Sequence, residues 1–348
     1  MINKRYEIID LLRASSIIGV LLIHLSGWYG LVGGQPTGFY IILANISRFS
    51  VPMFVFISAA LFYLKYDYKK FNLRSYYLNR IDKILLPYFL SSFIYYLYRL
   101  SNFVSSKQLI TLKGVENIFD FITKTLTIGV FSHFYFIPLI LSFYLIAPFL
   151  YKVFRSKSIL FVIITVITNI LFVFLMISLN IKRIDYRWTV FPYLIYITLG
   201  FFYAKNYEKL LMVKSKFLIA LLVVLLLGIY PIYINYYNAK LSTMLYLSYV
   251  YDSLCGLVVI IFSYLLNSYV INNRIIKFLS NNSFSIYLWH YLFIDLIFSF
   301  IKRGKLIFEL NFINYISLLV LIIVLSTVPN LVLTNFSQLL KYFFKNKI

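Results

Sequence analysis

Long apolar runs recur along the whole sequence, and they constrain the fold more than any other feature. Hydrophobic residues make up 62% of the 348 residues, whereas charged residues make up only 13%. A bilayer core is spanned by a helix of about 20 predominantly apolar residues, whose backbone polar groups are satisfied within the helix itself. The sequence therefore predicts an all-α, polytopic integral membrane protein.

The apolar runs predict about ten transmembrane helices. Lys and Arg are enriched in the segments that include the two ends of the chain, and such an excess is typical of the cytoplasmic side of a membrane protein. Both termini are therefore predicted to be cytoplasmic. We expect residues 1–348 to form a single membrane domain with no appended soluble domain. The expected spans are 11–31, 49–66, 84–101, 131–150, 159–179, 190–204, 217–236, 245–266, 283–301 and 310–334.

The net charge of +22 is explained by the same enrichment. On a soluble protein this charge would indicate nucleic acid as a partner. Here cytoplasmic loops beside anionic lipid account for it, so membrane lipids, and not nucleic acid, are the predicted partners.

The single cysteine, Cys255, excludes an intrachain disulfide and a thiolate metal cluster. The three histidines match no metal-binding motif, so no metal site is predicted.

The first apolar run, IIDLLRASSIIGVLLIHLSGWYG (8–30), contains Arg13 and His24. Eleven residues come within about 20° of three helical turns, which puts both side chains on one face, about 16 Å apart along the axis. Arg13 could reach the headgroups and pair with Asp10, and His24 could tie two helices together. The functional alternative is that His24 is a general base and Arg13 a cationic site for an anionic substrate.

Further motifs follow in order along nearly the whole chain: SVPMFVFISAALFY (50–63), YYLNRIDKILLPY (76–88), HFYFIPLILSFYLIAP (133–148) and SFSIYLWH (283–290). Together with Arg, ten residues, then His in the first span, this set resembles the family-3 membrane acyltransferases, bacterial enzymes that acylate surface polysaccharides. Three departures stand out. Ala59 and Ala60 replace a Ser-Gly pair, Lys83 replaces a second Arg, and Tyr135 replaces Trp.

The resemblance implies an O-acyltransferase of the bacterial cytoplasmic membrane. Its donor substrate would be acyl-CoA, with acetyl-CoA expected and no permanently bound cofactor. The acceptor would be a hydroxyl of a surface polysaccharide or of its lipid-linked precursor, and the acyl group acetyl or succinyl. His24 and Arg13 are the expected catalytic residues, and Arg80 and Lys83 the expected donor-binding residues. Further candidates for the acceptor site or its pocket are Arg48, His133, Tyr135, Tyr287 and His290.

A transporter is the competing interpretation. A flippase or exporter of glycan would also have ten spans with polar residues inside the membrane. Many transporters are built from two repeated halves with broken helices in matching positions. The sequence contains no such halves, and its prolines do not pair across a midpoint, which favours the enzyme. The two functions differ chemically, because an enzyme leaves an acyl group on the glycan, whereas a transporter moves the glycan without modifying it.

Overall fold

A computed structural model of the chain describes most of the sequence. Its ranges are 7–32, 38–66, 71–105, 118–127, 131–179, 186–211, 254–261, 273–302 and 311–345, with the single residues 181, 219, 251, 263 and 265.

Every regular element within these ranges is a helix. We number the main helices α1 to α12 in chain order. Short 3-10 segments occupy Ser47–Phe49 and Phe191–Tyr193, and a π-helical turn occupies Ile81–Leu85. The bounds are Glu7–Val32 (α1), Gly38–Ile46 (α2), Ser50–Lys65 (α3), Leu73–Arg80 (α4), Leu86–Ser105 (α5), Ile118–Leu126 (α6), Phe136–Ser156 (α7), Ser158–Ser178 (α8), Leu194–Lys205 (α9), Tyr207–Leu211 (α10), Arg274–Lys302 (α11) and Phe312–Lys345 (α12).

Six stretches in the described part of the chain are long and apolar enough to cross a membrane, and this confirms a helical membrane protein. Only 12% of the α8 stretch is buried inside the protein, so most of its apolar side chains are exposed, as is expected of a helix that contacts lipid. The six stretches are Glu7–Trp28, Phe39–Lys65, Phe136–Ser156, Ser158–Met176, Arg274–Lys302 and Phe312–Pro329.

The other expected spans have different outcomes. A 20-residue helix, α5, occupies the place of span 84–101 but is not among the six stretches, and α9 has only 12 residues. The expected span 217–236, apart from residue 219, and half of the expected span 245–266 lie outside the described residues. The number of spans and the cytoplasmic position of the termini stay predictions.

The chain divides into two compact units. Unit 1 contains residues 1–50 and 266–348, and unit 2 contains residues 51–265. That residues 1–348 form a single membrane domain stays a prediction.

In unit 1, α1 and α11 pack side by side and run in the same direction. Arg13 near the start of α1 contacts Ser280 near the start of α11. Further along, Trp28 stacks on Phe298 with ring centroids 5.6 Å apart. Two spans that run in the same direction must have an odd number of membrane crossings between them. The first and ninth of ten spans meet this condition.

Helix α12 closes unit 1 and runs antiparallel to α1 and α11. Ser26 near the end of α1 shares a 2.9 Å hydrogen bond with Tyr315 near the start of α12. Ser285, in the first half of α11, donates to the carbonyl of Ser326, which lies further along α12 than Tyr315 and near its middle. Hydroxyl groups thus join the three helices, as is common where helices meet in lipid.

In unit 2, small residues allow two helices to approach closely. A Cβ atom added at Gly200 of α9 would overlap the carbonyl oxygen of Phe56 and lie 2.9 Å from the Cβ of Ala59. Ala59 and Ala60 are fully buried. The Ala59-Ala60 departure from the family motif therefore lies at a packing position between α3 and α9, where small side chains let backbones approach.

Candidate functional site

The ring of His24 lies beside the ring of His290 within unit 1. Their centroids are 5.2 Å apart and their planes are inclined by 43°. The ring of Tyr291 meets His24 edge-on, with centroids 5.3 Å apart. Since His24 is half-buried and His290 is fully buried, two imidazoles share one protein-lined environment between two helices long and apolar enough to cross a membrane.

The backbone of α11 fixes the tautomer of His290. Its Nδ1 lies 3.0 Å from the carbonyl oxygen of Ile286 and 2.8 Å from that of Tyr287. A carbonyl oxygen can only accept a hydrogen bond, so Nδ1 carries a proton and donates it. In the neutral ring, Nε2 therefore holds the basic lone pair. Tyr287, a predicted pocket residue, is buried with its ring centroid 6.1 Å from that of His290.

Arg13 belongs to a polar cluster at the other end of the contact between α1 and α11. Its Nη1 donates to the hydroxyl of Ser280 at 3.3 Å, and this hydroxyl donates to Oδ1 of Asp10 at 2.6 Å. Asp10 and Ser280 are buried. Ser280 thus bridges the acid and the guanidinium that the sequence suggested could pair.

In unit 1, one face of α1 carries two groups that could act on a substrate. Arg13 supplies positive charge and hydrogen-bond donors, whereas His24 supplies an imidazole about 16 Å further along α1. Arg48, on the 3-10 turn Ser47–Phe49, lies on the segment that approaches α1 at Gly19, because a Cβ at Gly19 would lie 3.4 Å from the carbonyl oxygen of Ser47. Such a face can bind an anionic group and accept a proton from a nucleophile.

Arg80 in unit 2 is held between two tyrosine rings. Its guanidinium carbon lies 4.4 Å from the ring centroid of Tyr144 and 5.1 Å from that of Tyr76. The Tyr76 hydroxyl donates to the Tyr144 carbonyl at 3.1 Å. Burial raises the pKa of Tyr76, and the Arg80 charge opposes this. The phenol therefore stays protonated and keeps the pair of rings in place around the guanidinium.

Lys83 lies on the π-helical turn that follows Arg80. The amide of Leu86 bonds to the carbonyl of Ile81, five residues earlier. Pro87 has no amide proton to give the carbonyl of Lys83, and this explains why the α-helical ladder widens here. Lys83 is exposed, while Arg80 is half-buried. Both lie close enough to Lys65 for their charges to interact.

His133 and Tyr135 lie in the turn just before α7 in unit 2. His133 is 2% exposed and packs against the rings of Tyr95, Phe131 and Phe134. The ring of Tyr135 instead stacks against the guanidinium of Arg187, and the guanidinium carbon lies 4.0 Å from the ring centroid. The two predicted residues thus have different surroundings, and their role toward an acceptor stays a prediction.

Arg187 also donates through Nη2 to the carbonyl of Ser132 at 2.9 Å. Sequence reasoning did not single out Arg187, Ser280 or Tyr291. Ser280 and Tyr291 lie just outside the SFSIYLWH motif on the same helix. Their closeness to this motif was the only signal in the sequence that could have pointed to them. In the described residues, no group of three or more His, Cys, Asp or Glu side chains could hold a metal ion.

Comparison with known proteins places this chain in a family. It is 28% identical over 334 residues to the probable poly-beta-1,6-N-acetyl-D-glucosamine export protein of Staphylococcus epidermidis, covering 90% of this chain and 86% of the relative. The protein of the same name from Staphylococcus aureus strain MRSA252 is 26% identical over 304 residues, covering 84% and 80%. No solved structure matches.

The acyltransferase domain that defines family 3 matches residues 6–331. This range contains the histidine pair, the Arg13 cluster and the Arg80 site. The resemblance drawn from the ordered motifs is confirmed: the chain belongs to acyltransferase family 3.

Proposed function

We propose that this protein is an O-acyltransferase of the bacterial cytoplasmic membrane, which moves an acetyl or succinyl group from acyl-CoA to a hydroxyl of a surface polysaccharide or its lipid-linked precursor. The observation that carries the proposal is the helix face of α1, with an imidazole and a guanidinium about 16 Å apart. Family membership supports acyl transfer. The polysaccharide named for the relatives supports a glycan acceptor.

In the proposed reaction, His24 takes the proton of the acceptor hydroxyl as the oxygen attacks the thioester carbonyl carbon. The carbon–sulfur bond then breaks, and the leaving thiolate takes the proton from the His24 imidazolium. The products are an ester and free CoA thiol, and His24 is again neutral. A two-step route, in which His24 first carries the acyl group, uses the same atoms and gives the same products.

Arg13 is the proposed partner of the donor's phosphates in unit 1. A guanidinium binds phosphate through paired hydrogen bonds, and the extended arm of CoA is comparable in length to the distance between Arg13 and His24. Arg80 and Lys83 in unit 2 are proposed, from the family resemblance, to bind the donor as well. Arg48, His133, Tyr135, Tyr287 and His290 are the proposed acceptor or pocket residues.

Glycan export is the second candidate function, and one observation favours it. The relatives carry the name of a probable export protein for a polysaccharide. An exporter would move the glycan without changing its covalent structure, so the mass of the glycan separates the two functions.

Mass spectrometry of surface glycans from the native host tests the proposal, with strains that carry the intact gene, a deletion and His24→Ala. We expect a fixed mass increment only with the intact gene, and its size identifies the acyl group. Equal glycan masses in all three strains, with different exported amounts, would instead support the exporter. Protein levels measured in the membrane fraction control for loss of the variant.

A further inference from the structure

We propose that His290 shares the proton that His24 removes from the acceptor hydroxyl, so that the two imidazoles act as one base. This inference rests on the proposed acyl transfer and assigns His290 as a positioning residue for that reaction. It concerns the geometry of the pair in unit 1, and part of its test needs no enzymatic activity.

The first argument is the orientation of His290. Because Nδ1–H donates to the carbonyls of Ile286 and Tyr287, the lone pair of the neutral ring is on Nε2. With centroids 5.2 Å apart, the rings are close enough that a nitrogen of His24 turned toward Nε2 of His290 would lie about 3 Å from it, within hydrogen-bond reach. The edge contact of Tyr291 limits the other rotations of His24.

The second argument is the cost of charge at this depth. When His24 accepts the proton, it becomes an imidazolium inside a membrane-spanning helix, where a charge is expensive. A hydrogen bond from the imidazolium to Nε2 of His290 spreads that charge over two rings without adding a second charge. The proton balance of the reaction is unchanged, since the shared proton finally goes to the thiolate.

The surroundings of the pair contain other groups whose charge matters. On α11, Tyr287 and Tyr291 contact the rings, and Asp295 lies five residues beyond His290. Helix α12 contributes Tyr315, which bonds to Ser26 two residues after His24. Among the described residues, the remaining titratable or charged side chains on α1 and the elements packed around it are Glu7, Asp10, Arg13, Tyr40, Arg48, Arg274, Lys277 and Lys302.

Nitrogen NMR of the purified protein, labelled with 15N-histidine, tests the pairing directly. The chain has only three histidines, so His24→Gln and His290→Gln variants assign the signals. We expect His290 to carry its proton on Nδ1 at high pH. On acidification, His24 and His290 should bind their first proton jointly, with both rings responding in the same pH range. A proton on Nε2 of neutral His290, or independent titration of the two rings, would overturn the proposal.

Kinetics of His290→Phe and His290→Gln test the consequence for transfer. Loss of the second ring should lower kcat about 10- to 100-fold while the KM values for donor and acceptor change less than about twofold. Without sharing, His24 is the weaker base, so the midpoint of the acid limb of the pH profile should move to lower pH in His290→Phe. Gln keeps a hydrogen-bond acceptor and should recover part of the lost rate.

The two experiments separate failure of this inference from failure of the proposed function. If wild-type protein transfers no acyl group, the function is wrong, while the NMR titration still decides whether the rings share a proton. If transfer depends on His24 but both His290 variants keep the wild-type pH profile, His290 only packs. If one of the two variants does not fold, the other variant together with His133→Gln still assigns the three signals, and the titration of the wild-type protein provides the decision.

Discussion

The imidazoles of His24 and His290 lie with their ring centroids 5.2 Å apart although they belong to the first helix and the penultimate described helix. The parallel packing of α1 on α11 produces this contact. The same packing places Arg13 against Ser280 at the other end of the helix pair. One helix–helix interface thus holds both the proposed base and the proposed donor-binding cation.

The Arg13 cluster predicts a selective effect on the donor. Arg13→Lys keeps the positive charge but loses the planar fork that binds a phosphate through two hydrogen bonds. We expect the KM for acyl-CoA to rise about tenfold with kcat nearly unchanged, because the lost interaction acts equally in the bound substrate and the transition state. Steady-state kinetics of the purified protein measure this effect.

The matched control is Arg274→Lys, since Arg274 is an exposed residue at the start of α11. It should leave the donor KM unchanged. If the donor KM is as unchanged in Arg13→Lys as in Arg274→Lys, Arg13 contributes only its charge and makes no specific contact with the donor.

Ser280 predicts an effect on stability. Ser280→Ala removes the 2.6 Å hydrogen bond to Asp10, whose carboxyl is only 8% exposed. Loss of a partner for a buried acceptor should lower the free energy of unfolding by about 1–3 kcal/mol. Thermal unfolding in detergent checks this, with Ser283→Ala as the control, because Ser283 donates to a carbonyl of its own helix. A smaller effect for Ser280 than for Ser283 would contradict the bridging role.

The position of Arg80 between two tyrosine rings predicts that donor binding needs a flat guanidinium as well as a positive charge. Arg80→Lys keeps the charge but replaces the flat guanidinium that lies between Tyr76 and Tyr144. We expect the donor KM to rise at least severalfold, since the ammonium is a point charge that cannot present two parallel donors. Isothermal titration with CoA measures the same loss as weaker binding.

Arg74→Lys is the control for Arg80, because Arg74 lies exposed on the same helix, α4. If Arg80→Lys binds CoA as tightly as Arg74→Lys does, the donor-binding assignment of Arg80 is wrong.

The approach of α9 to α3 predicts that Gly200 tolerates no side chain. Gly200→Ala would push a methyl group into the Phe56 carbonyl and the Ala59 methyl, and overpacking of this kind costs about 1–3 kcal/mol. Gly256→Ala is the contrasting variant, since its new methyl would lie 3.7 Å from Met53, which is an ordinary contact. We expect the melting temperature to fall only for Gly200→Ala. Equal stability of the two variants would refute the close packing.

Local periodicity predicted the common face of Arg13 and His24, because α1 is one continuous helix over Glu7–Val32 and the spacing fixes the angle between side chains. The contacts of that face with Ser280 and His290 depend on residues far away in the chain. No local pattern specifies such contacts, so the sequence suggested an Asp10–Arg13 pair and missed the linking hydroxyl.

The departures from the family motifs illustrate the same limit. Ala59 and Ala60 stand where the family motif has a Ser-Gly pair, and both are buried where α3 meets α9, as Gly200 indicates. The π-helical turn before Pro87 had a local signal in the proline itself. The cation above Tyr135 had none, because Arg187 comes from a distant segment of unit 2.

Acyl transfer by the purified protein in proteoliposomes tests the central claim most directly. Wild-type protein, acyl-CoA and isolated host glycan are incubated together, and both free CoA thiol and acylated glycan are measured. We predict equal amounts of the two products with wild-type protein, and a loss of at least about 100-fold in rate with His24→Ala. The control Ser299→Ala, whose hydroxyl bonds within its own helix, should retain full activity. Wild-type activity in His24→Ala, or glycan that crosses the membrane without gaining mass, would contradict the account.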